Sequence, residues 1–565
     1  MEKQDIFDFH FHLVFKNAIQ KFENNYPTTL KTREITSFFD LKNPLFDLLD
    51  TQILHFLESQ SCFEQVEEGG YKLGIAAICP IEVFFSSKKG VFGKLLNSRF
   101  VTRPFDQKFM DHIRVGKISY YQLFVKELSL YKKLKDAGKI GILTRHQSSS
   151  FKGLNVAIGI EGGHSLARNL IARPGEKDTF LGKDPKVDRI VEDFVHFPLL
   201  SADESLKHLQ QAMWDDGFDL FYLTLTHLSQ IFGQFLATHA FGLKFLNNPL
   251  CDPVGNGLQE MGKRVIRAAY NMKVKKKGGG IKDTPILIDI KHMSLKSRLD
   301  FYKLRKEEKL NQPIIATHMG VTGYSIKEWI ANLKNAKRML EDGRMVIEIE
   351  IDRKLAGKWH IFNSRFEFNA WSINLMDEDI IEILESDGLI GVSMDVRVLG
   401  WQGALGKGDK EEYISIEDYN CLFKGLQPQL ESNLTETEGL GLGLIPEKTE
   451  RQPLMFCFNL IHILSVGFMN TNKPVWEHVC LGSDYDGLID PIKNAREAGS
   501  IQELYKAVLR KLPIAEESYI KANGGMMVLD RDASGNIDFK KLKENLDLFF
   551  YKNGHDFLKR RGFSV

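Results

Sequence analysis

At 565 residues the chain exceeds the usual size of a single domain, while 43% hydrophobic and 26% charged residues is the make-up of an ordinary globular protein with room for a large core. A net charge of +1 gives no bulk electrostatic pull toward nucleic acid or an anionic membrane surface. The six cysteines (Cys62, Cys79, Cys251, Cys421, Cys457, Cys480) lack CxxC spacing, the first fifteen residues lack a signal-peptide pattern, and no run of about 18 uninterrupted apolar residues occurs, so the expectation is a cytoplasmic protein with reduced thiols and no membrane contact.

Near the start, DIFDFHFHLVF (5–15) alternates His10 and His12 with apolar neighbours. Residues two apart on a strand share a face, so both imidazoles can meet one metal ion, or else be two satisfied histidines of an amphipathic strand. Residues 16–70 read as helix and loop without nameable chemistry. A second strand lies in YKLGIAAICPIEVFF (71–85) and ends at the Cys79-Pro80 break. From Lys88 to Arg145 the chain reads as mostly helical, its mixed basic and aromatic residues forming a solvated face. NVAIGIEGGHSL (155–166) is a buried strand that stops at Glu161, before a glycine turn and a packing residue, His164. Taken alone, that ending is a turn with a solvated carboxylate.

An irregular insertion from Arg168 to Ala202 precedes a helix over Leu206–Trp214 and a strand, FDLFYLTLTHLS (218–229), with His227 at its carboxyl end. After a helix over Lys263–Met272, the basic loop Lys273–Gly280 lacks the order of a phosphate-binding loop and reads as an exposed turn. PILIDIKHMS (285–294) and PIIATHMGVTG (313–323) are buried strands ending in His292 and His318. Residues 324–371 are expected to hold a helix over Ile326–Leu340 and a strand pair, Met345–Ile351 with Lys358–Phe362. A helix over Asp377–Ser386, a strand over Gly388–Val396, a Gly-rich excursion from Gly400 to Lys448 and a helix over 453–469 follow. The last strand, HVCLGSDYDG (478–487), ends in Asp484 and Asp486. DRDASGNIDF (530–539) imitates a calcium loop but puts Lys541 where the bidentate acid belongs, so it reads as a polar turn.

Eight alternations of strand and helix predict an α/β fold, a (β/α)8 TIM barrel, as a single domain over 1–565 with insertions at about 88–150, 168–205, 324–371 and 400–450. Metal-capable side chains recur at the strands' carboxyl ends, where such barrels keep their chemistry: His10, His12, Glu161, His227, His292, His318 and Asp484. Any one histidine can be a core residue. The set predicts a metal site.

IEGGHSL (160–166), YLTLTHLS (222–229), ILIDIKHMS (286–294), IIATHMG (314–320) and GSDYDG (482–487) resemble, in order, the landmarks of the membrane (renal) dipeptidase family of the amidohydrolase superfamily. Weaker echoes lie at 257–270 and 552–560. The resemblance implies a metal-dependent hydrolase with two divalent ions, usually zinc. It implies His10 and His12 on one ion, His292 and His318 on the other, and Glu161 bridging them. His227 would face the substrate and stabilise its oxyanion, and Asp484 would be the general base. Two departures bear on substrate. The dipeptidases usually carry an aspartate where His12 stands. Their arginine for the peptide carboxylate also has no clear counterpart, since the insertion falls there and its end aligns with Ala370-Trp371-Ser372; Arg365 and Arg397 are the candidates.

The expected activity is hydrolysis of a small, dipeptide-like amide, with no nucleic acid partner and with self-association left open. The alternatives are hydrolysis of an N-acyl amino acid, lactone or phosphoester, and a non-catalytic binding protein on the same barrel. No GxSxG elbow supports serine catalysis.

Overall fold

Eight short apolar segments build the barrel: β1 (Ile6–Phe11), β2 (Tyr71–Ile78), β3 (Asn155–Glu161), β4 (Leu220–Thr224), β5 (Leu287–Asp289), β6 (Ile314–Met319), β7 (Leu389–Val392) and β8 (Val479–Leu481). The computed structural model describes residues 3–20, 30–36, 57–87, 106–114, 118–146, 151–168, 200–230, 234–241, 249–339, 346–359, 364–400, 410–430 and 448–565. The strands pair in parallel in chain order from β1 to β8, with a two-residue strand, Gly141–Ile142, added beside β3. Closure comes from the chain just beyond β8. Asp484 N donates to His10 O at 2.9 Å, and His12 N donates to Tyr485 O at 3.0 Å. The sequence therefore predicts the (β/α)8 barrel that forms.

One interior cluster explains why these segments close. Phe7, Phe9, Ile75, Ala157, Phe221, Leu287, Ile315, Leu389 and Cys480 are buried together, so every strand contributes to it, and Phe557 and Phe563 from the C-terminal segment join it. Phe557 meets Phe9 and Phe221 edge-on at 6.2 and 6.0 Å between centroids. The aromatic core thus fills the end of the barrel away from the strand C-termini.

Helices alternate with the strands: α1 (Phe63–Gly69), α2 (Tyr120–Asp136), α3 (Ala202–Asp215), α4 (Glu260–Tyr270), α5 (Leu295–Glu308), α6 (Asp377–Glu385), α7 (Lys448–Asn470) and α8 (Ile501–Asn523). Their starts follow local chemistry. Ser119 accepts from Gln122 N while the Gln122 side chain accepts from Ser119 N, a reciprocal cap that fixes the first turn of α2. By length and composition alone, Glu450–Asn470 of α7 is apolar enough to cross a membrane, but 89% of its most apolar window is buried within the protein. It is a core helix here.

The 324–371 region departs from expectation. The helix stops at Ala331, and Leu333–Arg338 is instead a strand, antiparallel to Val346–Ile351. The alternating VIEIEI of 346–351 buries one face and needs strand partners on its edges, and this pairing overrides the helical tendency of 333–338. Its other neighbour is Glu411–Ser415, not residues 358–362. Leu355–Trp359 pairs with Ser364–Glu367 in a separate hairpin. Lys273–Gly280 is an exposed turn in part only: Lys273–Lys275 pairs with Ile281–Asp283 around a glycine tip. DRDASGNIDF is a polar turn, with Asp532 accepting from Ser534 N and Asn536 N. Most of the 168–202 insertion and much of 400–448 lie outside the described residues.

Candidate metal centre

Each side chain of the centre leaves the carboxyl end of a strand. His10 lies on β1 and His12 one residue past it; Glu161 ends β3, His318 lies near the end of β6, and His292 and Asp484 sit three residues beyond β5 and β8. His227 comes from the turn three residues after β4, since that strand stops at Thr224 rather than running to Ser229. The backbone turns sharply at these ends: His292 and Asp484 both have φ of 64°. Gly162, at φ 87°, is the position in the glycine turn where a side chain would be strained, and a Cβ there would fall 2.3 Å from the His164 ring.

Glu161 is the hub. Its Oε1 lies 3.5 Å from His10 Nε2, 3.3 Å from His292 Nε2, 3.5 Å from His318 Nε2 and 3.8 Å from His227 Nε2. Its Oε2 lies 3.3 Å from His12 Nε2. Asp484 closes the other side, with Oδ1 3.5 Å from His12 Nε2 and Oδ2 3.7 Å from His318 Nε2. Three groups of metal-capable side chains result, His10–His12–Glu161–Asp484, Glu161–His292–His318 and Cys79–Glu161–His227, and Glu161 is common to all of them. The first two are wholly buried, while His227 of the third is half-buried.

Burial works against charge on His12, but hydrogen bonding to Asp484 and Glu161 outweighs it and raises its pKa to about 10. Burial also opposes ionisation of Glu161, yet the charges of His10 and His227 hold it well below the usual carboxylate range. Asp484 is pushed up, first by burial. His292 and His318 are driven well below the ordinary imidazole value by burial, and then by the charges of His227 and His10 respectively.

The surrounding hydrogen bonds decide which ring nitrogens point inward as lone pairs. Asp289 Oδ2 accepts from Thr224 Oγ1 at 2.6 Å and Thr317 Oγ1 at 2.7 Å, and Oδ1 accepts from Thr317 N and Lys291 N. With its proton given to Asp289, the Thr317 hydroxyl oxygen accepts from His318 Nδ1 at 2.8 Å. His318 Nε2 is then an unprotonated lone pair aimed at two carboxylates, and it has no hydrogen-bond partner. His10 Nε2 and His12 Nε2 face each other at 3.2 Å, while Tyr222 Oη holds His10 Nδ1 at 2.7 Å. Lone pairs directed at carboxylate oxygens repel unless a cation lies between them. The donor set is nitrogen and carboxylate oxygen, with a partner behind the rings of His10 and His318 and none behind those of His12 and His292, and it suits a divalent metal.

The other residues singled out in the sequence lie as follows. His227 stands at the rim, with Nδ1 3.0 Å from the buried carboxylate of Glu82. That carboxylate raises His227 to about 9 against the effect of burial. Arg397 is buried and clasps Asp395, Nη2 to Oδ2 at 2.5 Å. Arg365 is 65% exposed on the 355–367 hairpin, with Glu367 at 3.9 Å. His164 is buried, its Nε2 3.3 Å from Pro80 O. Sequence reading missed Glu82, Tyr222, Asp289 and Asp8, whose Oδ1 accepts from Ser483 N. For Asp8 and Asp289 a signal was present, because an acid inside a buried apolar strand needs partners that the strand itself cannot supply.

A small cavity of about 30 Å³ opens beside the centre between the ends of β1, β2 and the loop after β8, with walls that include Phe15, Ile81, Phe85 and Leu488.

No family model matches the chain, and no curated protein matches it. Solved structures similar to it include a metallopeptidase named dipeptidase AC (12% identity, 100% of this chain and 100% of that one, TM-score 0.40). A metallopeptidase from Rhodobacter sphaeroides, solved with a phosphinate mimic of the dipeptide L-Ala-D-Ala, is 12% identical over 99% of this chain and 100% of that one, with TM-score 0.42. The probable dipeptidase PvdM from Pseudomonas aeruginosa is 12% identical over 99% of this chain and 95% of that one, with TM-score 0.43.

Proposed function

We propose that this chain is a binuclear metal-dependent hydrolase of small amide bonds, with dipeptide-like molecules as substrates. The observation that carries the reading is Glu161, shared by the two wholly buried ligand sets, His10–His12–Glu161–Asp484 and Glu161–His292–His318. Two cations held close together need an anion between them, and a carboxylate can span the gap. His10 and His12 would hold one ion, His292 and His318 the other, and the nitrogen-rich set favours zinc. When bound, the ions supply Lewis acidity and lower the pKa of a water toward neutrality.

The chain's own groups then divide the work. Asp484, poised between His12 and His318, accepts the proton of the attacking water and delivers it to the leaving nitrogen. His227, braced by Glu82, presents Nε2–H toward the oxygen that gains negative charge as the carbonyl is attacked. The buried walls around Glu161 exclude bulk water, so these charges act at short range in a medium less screened than solvent.

Metal analysis of purified protein, followed by a panel of dipeptides, N-acyl amino acids and lactones, tests the reading. About two divalent ions per chain and dipeptide turnover that chelator abolishes are expected, with both lost or severely reduced in Glu161→Gln. Full activity and full metal content in that variant would sink the bridge. Lactone or N-acyl turnover without dipeptide turnover would favour the alternative suggested by His12, whose neutral ring in place of a carboxylate leaves the ion pair one unit more positive. Metal-free, inactive protein would leave a binding role on the same barrel.

A further inference from the structure

Three adjacent strands, β2, β3 and β4, bring a further set of donors to the mouth of the barrel. Cys79 directly follows β2, Glu161 ends β3, and His227 stands three residues past β4. The Cys79 sulfur, a Glu161 carboxylate oxygen and a His227 ring nitrogen all lie within 4.8 Å of one another. Donors that share one tetrahedral ion stand about 3.3–3.6 Å apart, so side-chain shifts of about 1 Å close this group around an ion. Neither the proposed ion pair nor the proposed chemistry uses Cys79. Among the described residues no other cysteine belongs to such a group.

The small cavity beside the centre gives the ion its place, because Cys79, Glu161 and His227 all line it. Its volume of about 30 Å³ accommodates about two waters, which suits an ion with a water and is too small for a peptide. None of the residues lining it is a lysine or arginine, and Glu82 is part of the wall. Glu82 lies 3.0 Å from His227 Nδ1, while Nε2, on the other side of the ring, lies 3.8 Å from Glu161 Oε1. A carboxylate behind the ring with the second nitrogen facing inward is how ligand histidines are oriented. The charges match as well: an ion brings two positive charges, and a Cys79 thiolate with Glu82 brings two negative ones. Sulfur sets this group apart from the nitrogen and oxygen of the other two, and it selects softer ions.

We propose that Cys79, Glu161 and His227 form a third seat, for a thiophilic divalent ion such as cadmium or excess zinc, and that an ion held there inhibits the enzyme. The inhibition rests on the hydrolase reading above, since the ion takes the His227 ring away from the substrate oxygen. On binding, a sulfur–metal bond replaces the S–H bond, any proton on His227 Nε2 leaves as well, and both go to solvent without a change of oxidation state.

The test titrates cadmium into wild type and Cys79→Ser, each first loaded with zinc. Cadmium–thiolate charge transfer absorbs in the ultraviolet, and nitrogen and oxygen ligands do not produce it, so this readout is independent of turnover. In wild type the band should saturate at one cadmium per chain with the zinc retained, and turnover should fall in step. Loss of a partner behind a ligand costs about 10- to 100-fold in metal affinity, so loss of the sulfur itself should cost at least that. Cys79→Ser should therefore lack the band and need at least about 10-fold more cadmium to halve its own cadmium-free rate. No band in wild type, a band that persists in Cys79→Ser, or a band that grows only as zinc is expelled would overturn the third seat. A saturated band with full turnover would overturn the inhibition. If wild type turns over no substrate, the hydrolase reading fails, while a one-equivalent band lost in Cys79→Ser still upholds the seat. Should Cys79→Ser fold poorly, His227→Gln decides by the same titration: it keeps the thiol, and cadmium affinity unchanged from wild type would overturn the proposal.

Discussion

With His12 as a ligand, as proposed, metal binding at this centre would have to displace a proton from it. In the metal-free protein burial disfavours a charge on that ring, but Asp484 and Glu161 hold the proton so firmly that its pKa stands at about 10. A ligand imidazole must be neutral, so the ion competes with this proton. Between pH 7 and pH 9 the apparent affinity should therefore climb about tenfold per pH unit, about 1.4 kcal/mol for each, or roughly 100-fold across the window. His292 and His318 lie far below the ordinary imidazole value and hold no proton to release in that range. Stability of the metal-free protein runs the other way. A histidine whose folded pKa exceeds its unfolded value of 6.5 contributes stability that is complete below 6.5 and lost as the pH rises through about 10. At about 1.4 kcal/mol per unit, the ceiling on that loss is about 5 kcal/mol. Chelator-buffered titrations from pH 7 to 9 measure the slope, and calorimetry at pH 8 in two buffers of different ionisation enthalpy counts the protons. His12→Asn separates this contribution from that of His227 and should flatten the slope by about one proton. An affinity independent of pH, or an unchanged slope in His12→Asn, would refute the assignment.

Three further outcomes are expected. Asp289→Ala leaves Thr317 without its acceptor and His318 without a fixed tautomer, so metal affinity should drop by about 10- to 100-fold in a chelator competition, with little change in circular dichroism. Glu82→Gln removes the charge that raises His227 to about 9, so the imidazolium is lost at lower pH: the alkaline limb of kcat should move downward, whereas His227→Ala should cost about 100-fold in kcat across the profile. Gly159→Ala would drive a Cβ to 2.4 Å from the Tyr222 ring, whose hydroxyl holds His10. It should lower stability by about 1–3 kcal/mol in urea melts and weaken metal binding together; a loss of stability with intact metal affinity would break the inferred link from Tyr222 to His10.

The barrel was legible because each strand is a continuous apolar run bounded by turn residues, and a strand buried on both faces leaves that mark. The histidines and Glu161 at the carboxyl ends were legible for the same reason, since the position of a polar residue after such a run is fixed by the run. The element whose type was misread lay outside the barrel. LKNAKR (333–338) carries no strand pattern of its own and becomes a strand through its neighbour 346–351, a contact that periodicity cannot report. Glu82 and Tyr222 escaped for a related cause: each acts through a partner far along the chain, His227 and His10, and local sequence does not encode that meeting. Arg397 illustrates the converse. Read alone it is a carboxylate binder, but two residues away Asp395 occupies it.

The backbone around the centre shows how the site is kept. His292, Asp484, Asp486 and Leu488 all lie at positive φ, between 64° and 67°, where a side chain costs on the order of 1 kcal/mol or more per residue. Among the described residues only Lys309 and Asp387, both at the C-terminal ends of helices, share that property without being glycine. Four strained residues in one place require fixed partners. Asp484 N is held by His10 O, Gly487 N by Asp484 O, and Asp486 by Gln60, Ser61 and Lys16. Replacing Asp486 by glycine would relieve the strain at that residue alone and remove these ties, taking a carboxylate from buried Lys16. Asp486→Gly is therefore expected to lose stability in urea melts and also to lose turnover in the protein that remains folded, because Asp484 faces His12 and His318 through a turn that the Asp486 contacts anchor from the far side of the loop. A full rate in the folded variant would break the inferred link from Asp486 to the aim of Asp484.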